Sequence, residues 1–327
     1  MRIIKRLRHI AAALALALAL LLSCAAGCAR SAQSAPYRVW LIAKSTTTEF
    51  WKSVFAGANV ARSEYNIDLT IVGAENEEAY EDQNDLIRQA IHAGADAIIF
   101  SAISYTENAS AIDAAASAGI RIVIIDSDVD SGGVSARIGT DNVAAGRIMG
   151  EAVLDTDQTR LVVGIVNCFA ETQNCQEREL GFREALLTDE RVSGIYTVNV
   201  QTDAREAQHA AERLLRNHPE INVLVGFNEP LAVGVAQAIY QQGLAEAVRG
   251  VVFDTNPRCV ELLHAGVLSA LIVQNPYAMG YLGVEKAWQL LQGERLDANT
   301  LIDTATRIVT RENMFTMESQ KALFPFD

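Results

Sequence analysis

The sequence predicts an α/β protein built as two lobes, each a doubly wound parallel sheet, and three observations carry that prediction. Strand-like runs alternate with helix-like stretches along the body of the chain. The runs are continuous in Val and Ile, as in "ADAIIFSA" and "IRIVIIDSD", which marks strands covered on both faces. The alternation then repeats after Asp141, so each half holds roughly five strand–helix units. No Pro/Gly/Ser-rich linker separates the halves, so they are expected to share crossing strands.

The chain opens with MRIIKRLR, four positive charges and no acid, followed by an unbroken apolar run over residues 10–22. Thirteen apolar residues are too few to span a bilayer as a mature helix but suit the apolar region of a signal peptide. The next residues, Leu21-Leu22-Ser23-Cys24, resemble a bacterial lipobox, in which cleavage precedes a lipidated cysteine. The resemblance implies a signal peptide over 1–23 and lipidation of Cys24. Cys28 is a second candidate, and the large aliphatic three residues before Cys24 favours the first. An ordinary secretory signal with incidental cysteines is the alternative. Residues 24–36 then read as a tether, ending in the small-residue stretch ARSAQSAP.

The first half reads as "YRVWLIAKS", "IDLTIVGAEN", "ADAIIFSA" and "IRIVIIDSD", with helices between them. One helix is expected over Glu78–Ala93 and another over Asn108–Ala118, where alanine favours helix. Ala93-Gly94 and Ala118-Gly119 are helix stops leading straight into strands. The second half reads as "TRLVVGIVN", "SGIYTVNV", "INVLVGFNE", "VRGVVFDTN" and "LSALIVQN", again with helices between them. A last helix is expected over Pro276–Leu291.

Charge and composition narrow the function. Without the four basic residues of the leader, 23 basic residues face 40 acidic ones, a net charge near −17. That argues against electrostatic binding of nucleic acid or anionic lipid. Cys168, Cys175 and Cys259 form no C-x-x-C pair, so zinc and thioredoxin-type chemistry find no support. In an oxidising compartment Cys168 and Cys175 are candidates for a disulfide, with two buried thiols as the alternative. Catalytic motifs of the G-x-S-x-G, H-E-x-x-H and P-loop kinds are lacking. The histidines His9, His92, His209, His218 and His264 fall in the leader or in helix-like stretches. The reading is therefore a non-enzyme without cofactor or metal.

In open α/β sheets ligands bind beyond the carboxyl ends of the strands. The polar residues at those ends are Ser45 to Thr48, then Ser101, Asp126 and Ser127, Asn228 and Glu229, Asp254 and Gln274. Any one of them is accounted for as a helix cap. Six such ends, spread over both lobes, point to a cleft.

At these residues the sequence resembles the periplasmic sugar-binding proteins of the ribose/galactose type. The segments that carry the resemblance are "TTTEFWKSVFAGA", "ADAIIFSA", "IVIIDSD", "IGTDNVAAGRIMG", "QERELGFREAL", "VGFNEPLAVGVAQAI" and "VVFDTNP". It covers about residues 37–310, and "IGTDN…AG" followed by R-x-x-GF at Arg178–Phe182 is its strongest mark. The resemblance implies two lobes joined by crossings near Thr140–Asn142, Gln274–Asn275 and Ile302–Thr304. It assigns residues 37–139 with 276–302 to the N-terminal lobe and 140–275 with 303–327 to the C-terminal lobe. The implied ligand contacts are Thr48, Phe50, Trp51, Ser101, Asp126, Gln176, Thr202, Asn228, Asp254 and Gln274. One of Phe50 and Trp51 is expected to lie over the apolar face of a sugar ring, the other to buttress it.

Two positions depart from the family pattern. Ser127 and Gln176 stand where such proteins often carry ligand arginines, while Asp126 and Asp254 remain. The implied ligand is therefore small, hydroxylated and neutral or cationic. The implied partners are the permease subunits of an ABC importer or, alternatively, a membrane sensor kinase or chemoreceptor. The protein is expected to be a monomer outside the cytoplasm, held to the membrane by its lipid alone. A lac-type repressor of the same fold would need an N-terminal helix-turn-helix where the leader stands.

Overall fold

The structure, a computed structural model, describes residues 35–168, 172–187 and 189–324. The leader over 1–23, Cys24 and Cys28 lie outside these residues. No helix among the described residues is long and apolar enough to cross a membrane.

The first half builds one sheet. Its strands are β1 (Arg38–Ala43), β2 (Asp68–Gly73), β3 (Ala97–Phe100), β4 (Arg121–Ile125) and β5 (Val134–Gly139). The intervening helices are α1 (Glu49–Glu64), α2 (Tyr80–His92) and α3 (Ala109–Ser117). A late strand, β11 (Leu301–Asp303), pairs in parallel with β5 and completes the order β11-β5-β4-β3-β1-β2. The continuous apolar runs split by parity, as a strand's pleat requires. Val123 and Ile125 of β4 face a core shared with α1 and with α9 (Pro276–Leu291). Ile122 and Ile124 face the opposite core, under α2 and α3. The sheet is thus covered on both sides.

The second half builds a matching sheet, in the order β12-β10-β9-β8-β6-β7. Its parallel strands are β6 (Leu161–Cys168), β7 (Val192–Val200), β8 (Val223–Gly226), β9 (Arg249–Phe253) and β10 (Leu268–Val273). The last strand, β12 (Arg307–Thr310), joins β10 antiparallel. Its helices are α4 (Asn142–Leu154), α5 (Gln173–Leu186), α6 (Ala204–Asn217), α7 (Glu229–Gln241) and α8 (Pro257–His264), and α10 (Met317–Leu323) lies near the end of the chain. The chain passes between the sheets at Thr140–Asp141, at Gln274–Asn275 and at Thr304–Thr306. At the third crossing Thr304 binds the Gly139 carbonyl through both its N–H (2.8 Å) and its hydroxyl (3.1 Å).

Each lobe contains a helix pair in backbone contact, and glycine permits it. A Cβ on Gly57 of α1 would overlap the Tyr277 carbonyl, and one on Gly280 of α9 the Val54 carbonyl. Gly146 of α4 and Gly181 of α5 repeat the arrangement, against the carbonyls of Arg178 and Val143. Gly146 and Gly181 belong to the two motifs that mark the family resemblance most strongly. Their physical content is a close helix crossing.

Three strands escaped the sequence reading. β5 alternates buried Val134, Ala136 and Ile138 with half-buried Ser135 and Arg137, so it lacks the continuous run. β11 and β12 are only three and four residues long. The bridge considered for Cys168 and Cys175 is not formed. Both are free, buried thiols, and their mutual hydrogen bond and burial push the Cys168 thiol well above its usual range.

Candidate functional site

The strand ends of the two lobes face each other across a narrow cavity of about 20 Å³. That is room for little more than one water molecule, so the lobes are closed tightly on each other. Its first wall consists of Lys44, Thr48, Phe50, Trp51, Glu77 and Asp126. Its second consists of Asn174, Arg178, Asn228, Glu229, Asp254 and Gln274. A wider opening of about 280 Å³ adjoins it, sharing Phe50, Asp254 and Gln274 and flanked by Leu323 at the end of α10 and by Phe324 just after it. The ionisable groups and rings converge on the smaller cavity, which makes that the candidate site.

The two acids are placed alike. Asp126 directly follows β4 and Asp254 directly follows β9, with φ of 58° and 69°. Each donates its N–H to the neighbouring strand, at Ile138 (3.1 Å) and Ile272 (2.8 Å). Left-handed backbone is unfavourable for residues other than glycine, and aspartate is among those that tolerate it best. The turn aims both carboxylates inward from opposite lobes.

Asp126 is held as an anion. Burial opposes its charge, but Lys44 Nζ at 2.9 Å and Arg178 outweigh burial and keep its pKa low. Ser101 Oγ (3.0 Å) and Asn174 Nδ2 (2.9 Å) also donate to it. For Lys44 burial likewise disfavours the charge, yet Asp126 and Glu77 raise its pKa above the usual value. Among the described residues, Asp254 has no cation at contact distance. Burial pushes it up to about 6 against the more distant pull of Arg178 and a 2.6 Å hydrogen bond from Gln274 Nε2. Burial also raises Glu77, whose carboxylate accepts from Trp51 Nε1 at 3.0 Å.

Arg178 ties the cavity to the crossings. It donates to Gln274 Oε1 (2.8 Å), Asn142 Oδ1 (2.9 Å) and the Phe227 carbonyl (2.8 Å), and lies over the Phe253 ring at 4.4 Å. Gln274 Oε1 also accepts from Thr140 Oγ1 at 2.8 Å. Two crossing residues, Thr140 and Gln274, are thereby wired to the acids.

The lobes are closed on each other through hydrogen bonds. Glu229, at the start of α7, accepts from the backbone N–H groups of Glu49 (3.2 Å) and Phe50 (2.8 Å) at the start of α1. A carboxylate suits that helix end, where unpaired N–H groups and the helix dipole favour negative charge. Burial nonetheless raises the Glu229 pKa. Thr172 Oγ1 donates to the Ile103 carbonyl (3.1 Å), and the Thr202 N–H donates to Glu78 (2.6 Å).

The structure separates the expected contacts. Thr48, Phe50, Trp51, Asp126, Asn228, Asp254 and Gln274 line the cavity. Thr48 and Asn228 also cap α1 and α7, accepting from Trp51 N and Leu231 N, so the capping and lining roles coexist. Ser101 lies behind Asp126, Thr202 sits at the lobe contact with Glu78, and Gln176 is half-buried outside the lining. Trp51 is 1 % exposed and fixed by Glu77, and meets half-buried Phe50 edge-to-face at 5.2 Å.

Lys44, Glu77, Asn174 and Arg178 were missed as cavity residues, and Glu229 was noted only as a strand end. Lys44 directly follows β1, so the strand-end rule itself finds it. Lys44 and Arg178 place two basic groups in the lining, although Ser127 and Gln176 stand where ligand arginines are often found.

Comparison with known proteins agrees with this architecture. The family model described as a periplasmic binding protein domain matches residues 39–295. The D-ribose/D-allose-binding protein of Pseudomonas aeruginosa is 25 % identical over 286 residues, 84 % of this chain and 88 % of that protein. A carbohydrate transporter solute-binding protein from Agrobacterium radiobacter, solved with D-arabinose, superposes with a TM-score of 0.83 at 26 % identity, covering 89 % of this chain and 100 % of that one. An ABC transporter solute-binding protein from Agrobacterium vitis, solved with D-fucose, gives 0.84 at 27 % identity, covering 88 % and 100 %.

Proposed function

The chain belongs to the periplasmic binding protein domain family, and from that premise we propose that it is the solute-binding component of a sugar ABC importer, working outside the cytoplasm. The observation that carries the ligand reading is the cavity itself. Two carboxylates on left-handed turns, Asp126 and Asp254, face inward from opposite lobes beside Phe50 and Trp51. Carboxylates accept from ring hydroxyls, amides both donate and accept, and aromatic faces cover the apolar face of a sugar. Binding and lobe closure are then one event, because the ligand bridges groups from both lobes.

Charge selects the ligand class. Glu77, Asp126, Glu229 and Asp254 outnumber Lys44 and Arg178 in the lining. Lys44 is already engaged by Asp126, and Arg178 by Gln274. An anionic ligand would bring further negative charge into a closing cavity, at a cost of several kcal/mol. Neutral sugars, or amino sugars, instead donate to the carboxylates. A calorimetric panel of pentoses, hexoses, amino sugars, sugar acids and sugar phosphates tests this. Tight binding of an acid or phosphate, with neutral sugars and amines inert, would overturn it.

The protein reaches its permease tethered through a lipid on Cys24, a reading supported by the apolar run ending in Leu-Leu-Ser-Cys. Cys24→Ala should abolish fatty-acid labelling. Undiminished labelling of the variant would move the anchor to Cys28, and a wild type without label would remove it.

A further inference from the structure

Asn174 is 3 % exposed, sits in the first turn of α5 and lines the cavity. Its Nδ2 donates across the cleft to Asp126 Oδ1 at 2.9 Å. Asp126 is an ionised carboxylate and only accepts, so the amide has a single sensible orientation. The NH₂ must face Asp126, and Oδ1 must face the other way. That Oδ1 is buried and finds no hydrogen-bond partner among the described residues. Buried amide oxygens are seldom left so, because an unmade hydrogen bond there costs stability.

We infer that Asn174 is a specificity-determining residue that accepts a hydrogen bond from one ligand hydroxyl, and that lobe closure sets its orientation. Asn174 belongs to the second lobe and Asp126 to the first, so their bond exists only when the lobes meet. In an open cleft the amide rotates freely and water serves both its ends. On closure Asp126 takes the NH₂, and the oxygen is left for the ligand. A ligand with a hydroxyl at that point closes the cleft with every polar group paired. A ligand lacking it closes the cleft over an orphaned acceptor. The inference deepens the sugar-binding reading and rests on it.

The test pairs protein variants with ligand analogues. Binding of D-ribose, D-arabinose, D-fucose and their monodeoxy analogues is measured by titration calorimetry for wild type, Asn174→Ala and Asn174→Ser. In wild type, one deoxy position of the bound sugar should lose roughly tenfold or more in affinity through this contact. In both variants the parent sugar should weaken by a similar factor, and that same deoxy position should make no further difference. The serine variant is too short to reach either Asp126 or the ligand and guards against a folding defect in the alanine variant. Losses that simply add at every ring position would overturn the inference while leaving sugar binding intact. A wild type inert to every neutral sugar would overturn the sugar reading, and the inference with it.

Discussion

Replacing Lys44 with methionine should destabilise the protein by about 3–5 kcal/mol, the range for breaking a buried ion pair from one side. The side chains of Lys44 and Asp126 are only 5 % and 3 % exposed, with Nζ 2.9 Å from the carboxylate. At an effective dielectric of about 20, that contact is worth about 6 kcal/mol of attraction. Glu77, at 3.9 Å, adds about 4 kcal/mol on the same basis. Desolvation opposes several kcal/mol per ion. The raised Lys44 pKa shows that attraction wins. Methionine preserves the packed stem and removes the charge, stranding Asp126 with Arg178 at 3.9 Å as its remaining cation. The depressed Asp126 pKa contributes stability that is present above its unfolded value of 3.8 and is lost as pH falls through the folded value. In Lys44→Met the Asp126 pKa should rise, so acid destabilisation should begin at higher pH. Urea denaturation followed by circular dichroism at several pH values measures both effects. Adding Asp126→Asn to Lys44→Met should recover part of the loss, because residue 126 then no longer carries an uncompensated charge. A loss under about 1 kcal/mol, or strict additivity in the double variant, would refute the reasoning.

Four further outcomes are expected. In the closed lobes Asp254 has a pKa of about 6 against 3.8 unfolded, so its contribution to stability falls as pH rises between these values, and Asp254→Asn should stabilise the closed form by about 2–3 kcal/mol at pH 7 in melts across pH 4–8. Ionised Asp254 is the better acceptor, so affinity for a neutral sugar should weaken as pH drops below about 6 in wild type and lose that dependence in Asp254→Asn, as titration calorimetry would read. Gly181→Ala should cost at least about 1–3 kcal/mol in denaturant unfolding, since its Cβ would overlap the Val143 carbonyl and the helix pair must separate. Thiol titration should find Cys168 and Cys175 unreactive in the native protein and reactive after unfolding in denaturant; a bridge found by mass spectrometry would contradict the free thiols.

Most of the fold was determined by the sequence alone, because its signals are local. A buried parallel strand needs a continuous apolar run, and Ala97–Phe100 and Arg121–Ile125 appear as such runs in the text of the chain. A helix stop needs a glycine with positive φ, and Gly94 and Gly119 supply it at 66° and 88°. The helix over Pro276–Leu291 was readable to the residue, from proline at its start. The strand-end rule likewise led to Asp126 and Asp254, since a sheet's polar exits are marked one strand at a time. What the local pattern could not decide was which exits meet. The contact of Glu229 with the start of α1 spans 179 residues, and that of Asn174 with Asp126 spans 48. Whether Lys44 neutralises Asp126, or Asp254 stands without a cation beside it, depends on distances of a few ångströms between the ends of different strands. Coulombic and desolvation energies change by several kcal/mol over such distances, and sequence spacing carries no trace of them. The charge of the cavity, and with it the ligand it accepts, is therefore a property of the closed pair of lobes.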